Sequence, residues 1–412
     1  MRRAAALMFF AVACTEETSA PLDASVPQDV SDGAVADAPV ADVLDASVTD
    51  AGPACATLSA RAIGIGWNHA LAIGRDGSLW SWGANGSGQL GLGDVMDRGM
   101  STRVSTDGGA WRVVTGGSRH SCGIREDGSL WCWGVNVHGQ LGVGDTRDRN
   151  VPTRVGVETD WVEVVCGGLH SCGIRAGGAL WCWGANPAGQ LGLGDQTGDR
   201  TSPQRVGTET GWRALAAKAR FNCALRADAS LWCWGDNSDG QLGVGDTMDR
   251  RAPVPVAAGT RWSQVRMGPL HTCAITTEGA LWCWGLNDFG QLGTGDTTSV
   301  RVPTRVGTGS DWRLVSGGFE HTCAIRADGT LWCWGNNAVA QLGLDGGAPR
   351  TSPARALEGV AALEDVVTGQ GHTCAIDASG AVRCWGDNVS GQAALGARAP
   401  TRPTPGAACA AR

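Results

Sequence analysis

Tyrosine is absent from this chain of 412 residues, and lysine occurs only once, as Lys218. Only 18% of the residues are charged, and no apolar run reaches the roughly 20 residues that a membrane-spanning helix needs. Residues 1–54 hold two arginines and nine acidic residues, which account for the whole formal charge of −7, so residues 55–412 are formally neutral. A neutral domain offers at most a local basic patch to nucleic acid, and we expect no nucleic-acid partner.

Glycine and tryptophan are abundant instead, with 63 and 19 copies, and this composition predicts a turn-rich fold with aromatic packing. The sixteen cysteines are too many for a cytosolic enzyme without a metal, and they favour an oxidising compartment. The length alone suggests two or three domains, but such an estimate fails for an array of repeats.

The first 13 residues resemble a bacterial lipoprotein signal peptide. Arg2 and Arg3 supply a short positive region, residues 4–13 are apolar, and small residues lead into Cys14. Cleavage before Cys14 would leave that cysteine to be lipidated, although Ala11 stands where such signals usually carry leucine. We therefore predict an exported lipoprotein, anchored in the outer membrane or at the cell surface only by its lipid. A simple secretory signal, with a secreted or periplasmic product, is the alternative.

Residues 14–54 are predicted to form a disordered acidic tether. They contain nine acidic residues and no lysine or arginine, are rich in alanine, valine, proline and serine, and show neither helical nor strand periodicity. The folded domain is expected to occupy residues 55–412.

One unit recurs seven times in the folded domain. The stretch WGxNxxGQLGxGD, or a close variant, begins at Trp82, Trp133, Trp183, Trp234, Trp284, Trp334 and Trp385, with spacings of 51, 50, 51, 50, 50 and 51. In the third copy, strand-like runs at 161–165, 170–175, 180–183 and 202–206 are separated by glycine-rich turns. Four short strands per unit at this period predict an all-β, seven-bladed β-propeller of four-stranded blades, a closed ring with few exposed strand edges.

The repeated motifs LWCWGxNxxGQLGxGD and GxxHTCAIRxDG resemble the regulator of chromosome condensation repeat. The resemblance covers nearly all of residues 58–405 and implies a seven-bladed propeller. The eukaryotic founder of that family is a guanine-nucleotide exchange factor that docks on chromatin, and a bacterial inhibitor of β-lactamases shares the propeller. The implied fold is specific, whereas the implied function is not, because one fold hosts many functions.

Six of the seven copies carry two cysteines ten residues apart on a predicted hairpin. Cys323 and Cys333 are centred on Asp328 in the turn, so they are directly opposed, at about 4.5–5.5 Å between Cα atoms, which suits a disulfide. In the first copy, Leu71 and Ser81 replace both cysteines together, which also favours a bond. Zinc ligation and free buried thiols are the alternatives. The predicted pairs are Cys122–Cys132, Cys172–Cys182, Cys223–Cys233, Cys273–Cys283, Cys323–Cys333 and Cys374–Cys384.

The other cysteines are expected to have individual roles. Cys14 is the lipidation candidate, and Cys166, which replaces a turn glycine, is expected to stay free. Cys55 precedes the first strand and Cys409 follows the last. Because the ends of a closed propeller meet, we predict a Cys55–Cys409 bond that seals the ring, with two unpaired thiols as the alternative.

The recurring histidines are expected to be structural, because a catalytic histidine would occur in one blade only. They are His69, His120, His170, His271, His321 and His372, with Phe221 in the fourth copy. The sequence has no calcium loop, phosphate-binding loop or G-x-S-x-G motif, and no blade-specific acidic pair is expected in the central channel. We therefore predict no enzyme activity, no metal and no cofactor.

Positions that vary between copies are the candidates for binding, because loops on a rigid scaffold carry function. Two such places are the pair of residues before each histidine and the residues after the recurring asparagine, and both should cluster on one face. Large apolar residues and arginines there have the composition of interface anchors, with neutral variation as the alternative. The candidates are Trp67, Asn68, Arg119, His138, Leu169, Lys218, Arg220, Leu270, Phe289, Phe319 and Glu320.

These features predict a monomeric, non-catalytic binding module, displayed outside the cytoplasm, whose variable loops bind a protein that the sequence does not identify. Inhibition of a secreted or periplasmic enzyme is the main alternative. Guanine-nucleotide exchange is disfavoured, because the family relies for it on a wedge inserted between blade strands. The repeat spacing of 50 or 51 residues leaves no room for such a wedge.

Overall fold

A computed structural model shows a seven-bladed β-propeller. It describes residues 56–410 except 107, 195–197, 358–359, 361, 395–400 and 408. The predicted signal peptide, Cys14, the acidic tether and Cys55 lie outside the described residues. Within the described part of the chain, no helix has the length and hydrophobicity to span a bilayer.

Each blade has four antiparallel strands from one continuous segment, as the repeat pattern predicts. Strand β1 (Ala56–Thr57) precedes blade one, which comprises β2 Ala60–Ile65, β3 His69–Gly74, β4 Leu79–Gly83 and β5 Arg98–Arg103. Blade two comprises β6 Trp111–Gly116, β7 His120–Arg125, β8 Leu130–Gly134 and β9 Arg149–Arg154. Blade three comprises β10 Trp161–Cys166, β11 His170–Arg175, β12 Ala179–Gly184 and β13 Arg200–Arg205. Blade four comprises β14 Trp212–Lys218, β15 Phe221–Arg226, β16 Leu231–Gly235 and β17 Arg250–Val256; blade five β18 Trp262–Met267, β19 His271–Thr276, β20 Leu281–Gly285 and β21 Val300–Arg305. Blade six comprises β22 Trp312–Gly317, β23 His321–Arg326, β24 Leu331–Gly335 and β25 Arg350–Ala356; blade seven β26 Leu363–Thr368, β27 His372–Asp377, β28 Val382–Asp387 and β29 Thr401–Ala407, followed by β30 Cys409–Ala410.

The stacking of blades face to face determines which strands are apolar. All six residues of β3 and of β7 are buried, because both faces of a second strand are covered by neighbouring blades. The outer strand β9 is half exposed and contains Pro152, which an edge strand tolerates because it needs fewer backbone donors.

The buried apolar side chains form separate clusters between adjacent blades rather than one central core. At the contact of blades two and three, for example, Trp161 and Trp183 pack against Cys122, Leu130 and Leu141. Stability in such a repeat array is approximately the sum of the blades and of their nearest-neighbour contacts.

The two ends of the folded domain meet at blade one. Strand β30 pairs antiparallel with β1 and parallel with β5, giving a six-stranded sheet. The N–H of Ala60 also donates to the carbonyl of Gly380 in blade seven at 2.8 Å, which closes the ring. Cys409 lies opposite Thr57 in this pairing, and since Cys55 is not described, the Cys55–Cys409 bond stays a prediction.

All six predicted disulfides within blades are confirmed. Each joins directly opposed residues of the second and third strands, with 4.1 Å between Cα atoms. Leu71 and Ser81 occupy the same opposed positions in blade one, where Ser81 Oγ donates to the carbonyl of Leu90. Cys166 is a buried free thiol, as expected.

A recurring polar junction joins each blade to the next. The backbone carbonyl of Gln89 in blade one accepts both from Trp133 Nε1 at 2.9 Å and from Ser121 Oγ at 2.8 Å in blade two. The same hydroxyl of Ser121 is 2.9 Å from His69 Nε2. The recurring histidine is thus a structural residue that bonds to the neighbouring blade, as the repeat pattern indicates.

The junction between blades seven and one is incomplete. Trp82 Nε1 donates to the carbonyl of Gln392 as elsewhere, at 2.9 Å. Blade one, however, has Ala70 where the other blades have serine, threonine or asparagine. As a result, Nε2 of the fully buried His372 has no hydrogen-bond partner, whereas Nε2 of each other recurring histidine has one.

Ala70→Ser should complete this junction. We expect the hydroxyl to donate to the carbonyl of Gln392 and to meet His372 Nε2, raising the free energy of unfolding by about 1 kcal/mol. Denaturant unfolding midpoints of the two proteins measure the effect. Ala72→Ser is the matched control, because it places a hydroxyl at another fully buried position and should destabilise the protein. An Ala70→Ser protein that is less stable than the wild type would contradict the account.

The buried histidines should make the propeller sensitive to acid. Burial lowers the pKa of His120 from 6.5 to about 3, and the other recurring histidines behave alike. The histidines of the unfolded chain bind protons at a higher pH than those of the folded protein. Their contribution to the free energy of unfolding is therefore fully present above pH 6.5 and decreases as the pH drops towards 3. Each histidine should lose about 2 kcal/mol of stabilisation between pH 7.5 and pH 5. His120→Phe, which copies Phe221 of blade four, should lose less stability over this pH range, and the difference should equal the contribution of one histidine. Urea unfolding of the variant and the wild type at both pH values measures it. An unchanged pH dependence in that variant would argue against the assignment.

Candidate functional site

Two loops of every blade lie at the same end of the propeller. These are the loop between the first and second strands and the loop between the third and fourth, because the strands alternate in direction. In blade one, the N–H of Ala84 in one loop donates to the carbonyl of Asn68 in the other at 2.8 Å. We call these loops together the loop face. The structure places ten of the eleven sequence-predicted binding residues on it. The prediction was wrong for Lys218, which is the last residue of β14 and lies in the wall of the central channel.

The recurring asparagine organises the longer of the two loops. Asn85 Oδ1 accepts from the N–H of Leu90 at 2.9 Å, and Asn85 Nδ2 donates to the carbonyl of Asp94 at 3.0 Å. Asp94 in turn accepts from the guanidinium of Arg98. The frame of this loop is therefore fixed from within, which leaves the positions between Asn85 and Leu90 free to vary.

The shorter loops of neighbouring blades are hydrogen-bonded to one another around the central channel. The N–H of Trp67 donates to the carbonyl of Gly117 at 3.1 Å, and the N–H of Gln370 donates to the carbonyl of Trp67 at 2.9 Å. Between blades three and four, the N–H of Gly168 donates to the carbonyl of Ala219 at 2.7 Å. The variable pairs are thus contiguous at the channel mouth.

Two predicted residues from distant blades meet at this mouth. The rings of Trp67 in blade one and Phe319 in blade six lie edge to face, with centroids 6.2 Å apart and planes at 88°. Blade seven separates these two blades along the ring, so the contact crosses the entrance of the channel. Both side chains remain partly exposed. An aromatic pair in this geometry adds about 0.5–1.5 kcal/mol beyond its buried area.

The loop face also carries exposed arginines. Arg119 is exposed on the loop to which the N–H of Trp67 is bonded. Arg220 is also exposed and forms an ion pair with Asp236 at 2.9 Å. Burial tends to raise the pKa of Asp236, but hydrogen bonds from Ser238 and Arg220 outweigh it and keep that pKa low. The carboxylate of Asp236 therefore holds Arg220 in place.

Other predicted residues have local partners. His138 Nδ1 lies 2.7 Å from a carboxylate oxygen of Asp199 in blade three, so His138 links two long loops. Glu320 accepts from Asn336 Nδ2 at 2.7 Å. Phe289 keeps 37% of its surface exposed, whereas Leu169 and Leu270 are half-buried. Among the apolar candidates, the rings of Trp67 and Phe319 are in contact with each other.

The first strands of the seven blades enclose a central channel with a cavity of about 230 Å³. Lys218 occupies a glycine position of the motif and lies in the channel wall together with the Cys166 thiol. Burial lowers the pKa of Lys218 to about 8 and raises the pKa of Cys166 to about 12. The thiol is therefore protonated at neutral pH and is a poor nucleophile.

Two blades nevertheless carry an acidic side chain on the first strand. Glu163 and Asp365 occupy the same position, the third residue of the first strand, in blades three and seven. Burial raises the pKa of both carboxyls, that of Asp365 to about 6, while Arg266 of blade five opposes the shift at both. Glu163 Oε1 accepts from the N–H of Leu215 at 3.1 Å, which joins blade three to blade four.

A sequence signal for these residues existed, because the third position of the first strand is not conserved between copies. The residues at that position are Ala62, Val113, Glu163, Ala214, Gln264, Leu314 and Asp365. Five of the fully buried histidines bond through Nε2 to a serine, threonine or asparagine side chain of the next blade. Each of these partners is itself fully buried and donates to a glutamine backbone carbonyl, so the arrangement is a structural link between blades. Among the described residues, no group of three or more His, Cys, Asp or Glu side chains could hold a metal ion.

Comparison with solved structures supports the fold. Yeast RCC1 (Prp20), solved bound to Kap60, is 21% identical with a TM-score of 0.70, and the match covers 90% of this chain and 91% of that one. Human WBSCR16 is 22% identical with a TM-score of 0.69, over 76% of this chain and 85% of that one. These identities are low enough that the likeness concerns the fold alone.

Curated relatives share the repeat over shorter stretches. The ultraviolet-B receptor UVR8 of Arabidopsis thaliana is 33% identical over 192 residues, which are 46% of this chain and 44% of the receptor. The human probable E3 ubiquitin-protein ligase HERC3 is 32% identical over 187 residues, or 43% of this chain and 18% of the ligase. The match thus spans less than half of either relative.

The family match covers most of the chain. The Regulator of chromosome condensation (RCC1) repeat matches residues 76–124, 127–174, 177–225, 228–275, 278–325 and 328–376. A second description of the same repeat matches seven segments between residues 60 and 392. The repeat, its sevenfold occurrence and the propeller agree, and the chain belongs to the RCC1 repeat family.

Proposed function

We propose that this protein is a non-catalytic binding module that is displayed outside the cytoplasm and recognises a protein partner through its loop face. The observation that carries the proposal is the Trp67–Phe319 contact across the channel mouth, next to the exposed Arg119. Tryptophan and arginine are enriched among the residues that dominate binding energy, especially where they cluster at the centre of an interface. A rigid ring beneath them keeps the ordering cost of binding low.

The relatives support a protein as the ligand. The structure of Prp20p from Saccharomyces cerevisiae was reported with its binding properties to Gsp1p and histones, and yeast RCC1 was solved with Kap60. Those are partners of those proteins, and we propose for this chain only the same class of ligand.

Display outside the cytoplasm is supported by the sequence of residues 1–14 and by the disulfides. Six cross-links within blades are stable in an oxidising compartment and are rare in a reducing one. We propose that the signal peptide ends at residue 13, that Cys14 carries the lipid, and that residues 14–54 hold a monomeric propeller away from the membrane.

Inhibition of a secreted or periplasmic enzyme is a second candidate. The aromatic pair, with Phe289 exposed on the same face, offers apolar anchors that could enter an enzyme cleft. Guanine-nucleotide exchange finds less support, because each blade is formed by four strands at a spacing of 50 or 51 residues and has no room for an inserted wedge.

The loop face should dominate binding to the native partner. We expect Trp67→Ala combined with Phe319→Ala to weaken binding at least tenfold, because the central aromatic anchors are lost. Partners would be cross-linked to the wild-type protein on intact cells, identified by mass spectrometry, and their affinities then measured with purified components. Glu278→Ala, in an exposed turn at the opposite end of blade five, is the matched control and should bind like the wild type. Equal loss in both variants, or in neither, would refute the loop-face assignment.

The lipid anchor should decide where the protein is found. Cys14→Ser should release the propeller from the membrane fraction, whereas Cys166→Ser should leave it there, because Cys166 is buried in the folded domain. Cell fractionation and mass spectrometry of the N-terminal peptide measure the outcome. Recovery of the intact Met1 end with reduced cysteines would overturn the proposed export without affecting the loop-face test.

A further inference from the structure

Blades two to six each carry a pair of tryptophans, one at the start of the first strand and one on the third strand. In blades four, five and six the two rings lie edge to face, with centroids 6.2, 6.4 and 6.4 Å apart and planes at 83°, 82° and 82°. The pairs are Trp111/Trp131, Trp161/Trp181, Trp212/Trp232, Trp262/Trp282 and Trp312/Trp332.

In four of these blades, an arginine from the end of the second strand lies over both rings. The guanidinium carbon of Arg326 is 4.7 Å from the ring centre of Trp312 and 4.4 Å from that of Trp332. Arg226 lies at 4.6 and 4.4 Å from its two rings. Arg125 and Arg175 make the same contacts. In each case the arginine stands directly opposite the first tryptophan in the strand register.

Acidic residues on the preceding loop compensate the charge of three of these arginines. Arg175 Nε donates to Asp160 at 2.7 Å, and Arg326 lies 3.5 Å from Asp311, the residue just before the first tryptophan. Arg226 forms an ion pair with Glu209, three residues before the tryptophan.

Blade five departs from this pattern at both positions. Thr276 stands opposite Trp262 where the others have arginine, and its Oγ1 accepts from the N–H of Ala280. Arg261 replaces the acid just before the tryptophan, and Gly259 replaces the acid three residues before it. The tryptophan geometry nevertheless matches that of blades four and six. The loss of the arginine together with its acids parallels the paired loss of cysteines in blade one.

The result is an apolar cleft of about 370 Å³ on the outer wall of the ring, between blades four and five. Its walls include Trp262, Trp282, Val244, Pro255, Val302 and Pro303. The corresponding cleft of blade three, with Arg175 in its wall, is smaller, at about 300 Å³. Val302, 52% exposed, places the opening at the surface. Pockets for small ligands typically measure about 300–1,000 Å³ and are lined by aromatic side chains.

We propose that this Trp262–Trp282 cleft binds a flat aromatic group that is uncharged or carries a carboxylate. In the sister blades the tryptophan rings hold a flat guanidinium, so the cleft accepts a planar group against an aromatic face. The walls carry no charged side chain, and the segment that leads into Trp262 has Gly259 and the exposed Arg261 where sister blades have acids. A cationic guest would therefore lack the ion pair that Arg175, Arg226 and Arg326 have, whereas a carboxylate would meet no acidic residue on the segment before Trp262.

Three ring probes of similar size and different charge test the proposal: phenylacetate, benzyl alcohol and benzylammonium. Ligand-observed NMR titration of the folded, oxidised protein should show phenylacetate and benzyl alcohol binding at least tenfold more tightly than benzylammonium. An acetylated and amidated Asp-Phe-Asp peptide, added as competitor, distinguishes the two sources of such a ring: displacement indicates an aromatic residue of an acidic protein segment, and failure to displace indicates a free aromatic acid.

Thr276→Arg should fill the cleft from within the chain and weaken phenylacetate binding at least tenfold. Thr276→Val is its matched control, because it loses the same hydroxyl acceptor without filling the cleft, and it should bind like the wild type. Val302→Glu adds a negative charge at the exposed part of the cleft wall and should reverse the preference towards benzylammonium. This second variant keeps the test valid if Thr276→Arg does not fold.

Arg326→Thr provides a reciprocal test in blade six. That substitution opens the sister cleft while Asp311 remains at its rim, so the new site should prefer benzylammonium. The proposal is overturned if the wild type binds none of the ring probes, if it prefers benzylammonium, or if Thr276→Arg binds phenylacetate as the wild type does. The loop-face variants share no residue with this cleft, so neither proposal depends on the other.

Discussion

The ring depends on one recurring contact, in which the backbone carbonyl of a buried glutamine accepts a hydrogen bond from a tryptophan indole N–H of the next blade. It occurs at every blade junction with donor–acceptor distances of 2.9–3.0 Å, including the closing one from Trp82 to Gln392. The same tryptophan fills the apolar layer between blades, so a single side chain satisfies a buried carbonyl and supplies packing. Since every junction repeats this contact, the variable positions of the loops contribute little to stability and can differ from blade to blade.

That division between frame and loops explains where functional candidates lie. Asn85, whose position is fixed in every copy, and His120, whose position holds histidine in six of the seven, are buried and bonded within the ring. Residues that differ between copies line the channel, the loop face and the outer clefts. In a repeat protein, therefore, a site is found where one copy departs from the others, and Trp67, Arg266 and Thr276 are departures of this kind.

The sequence predicted the fold closely, because a hairpin pattern repeated seven times admits few closed arrangements. The paired cysteines fixed register as well, since Cys323 and Cys333 can be opposed only in one pairing. Contacts between distant copies could not be read in the same way. Such contacts depend on how seven blades curve around the axis. Examples are the contact of Trp67 with Phe319 and the influence of the Arg266 charge on Glu163 and Asp365. The clefts beside the tryptophan pairs likewise required knowledge of which side chains of adjacent blades share a wall.

The placement of the disulfides has a mechanical consequence. Every described bond lies inside a blade and none joins two blades, so tension on the chain cannot lengthen the stapled hairpins between their cysteines. Load applied at either end enters at the β1–β30 pair and then reaches the junction of blades seven and one, where His372 is unbonded. Blade one is also the blade without a staple. When the chain is pulled, the ring should therefore open first at the junction of blades seven and one. The molecule would then extend while each blade keeps its fold.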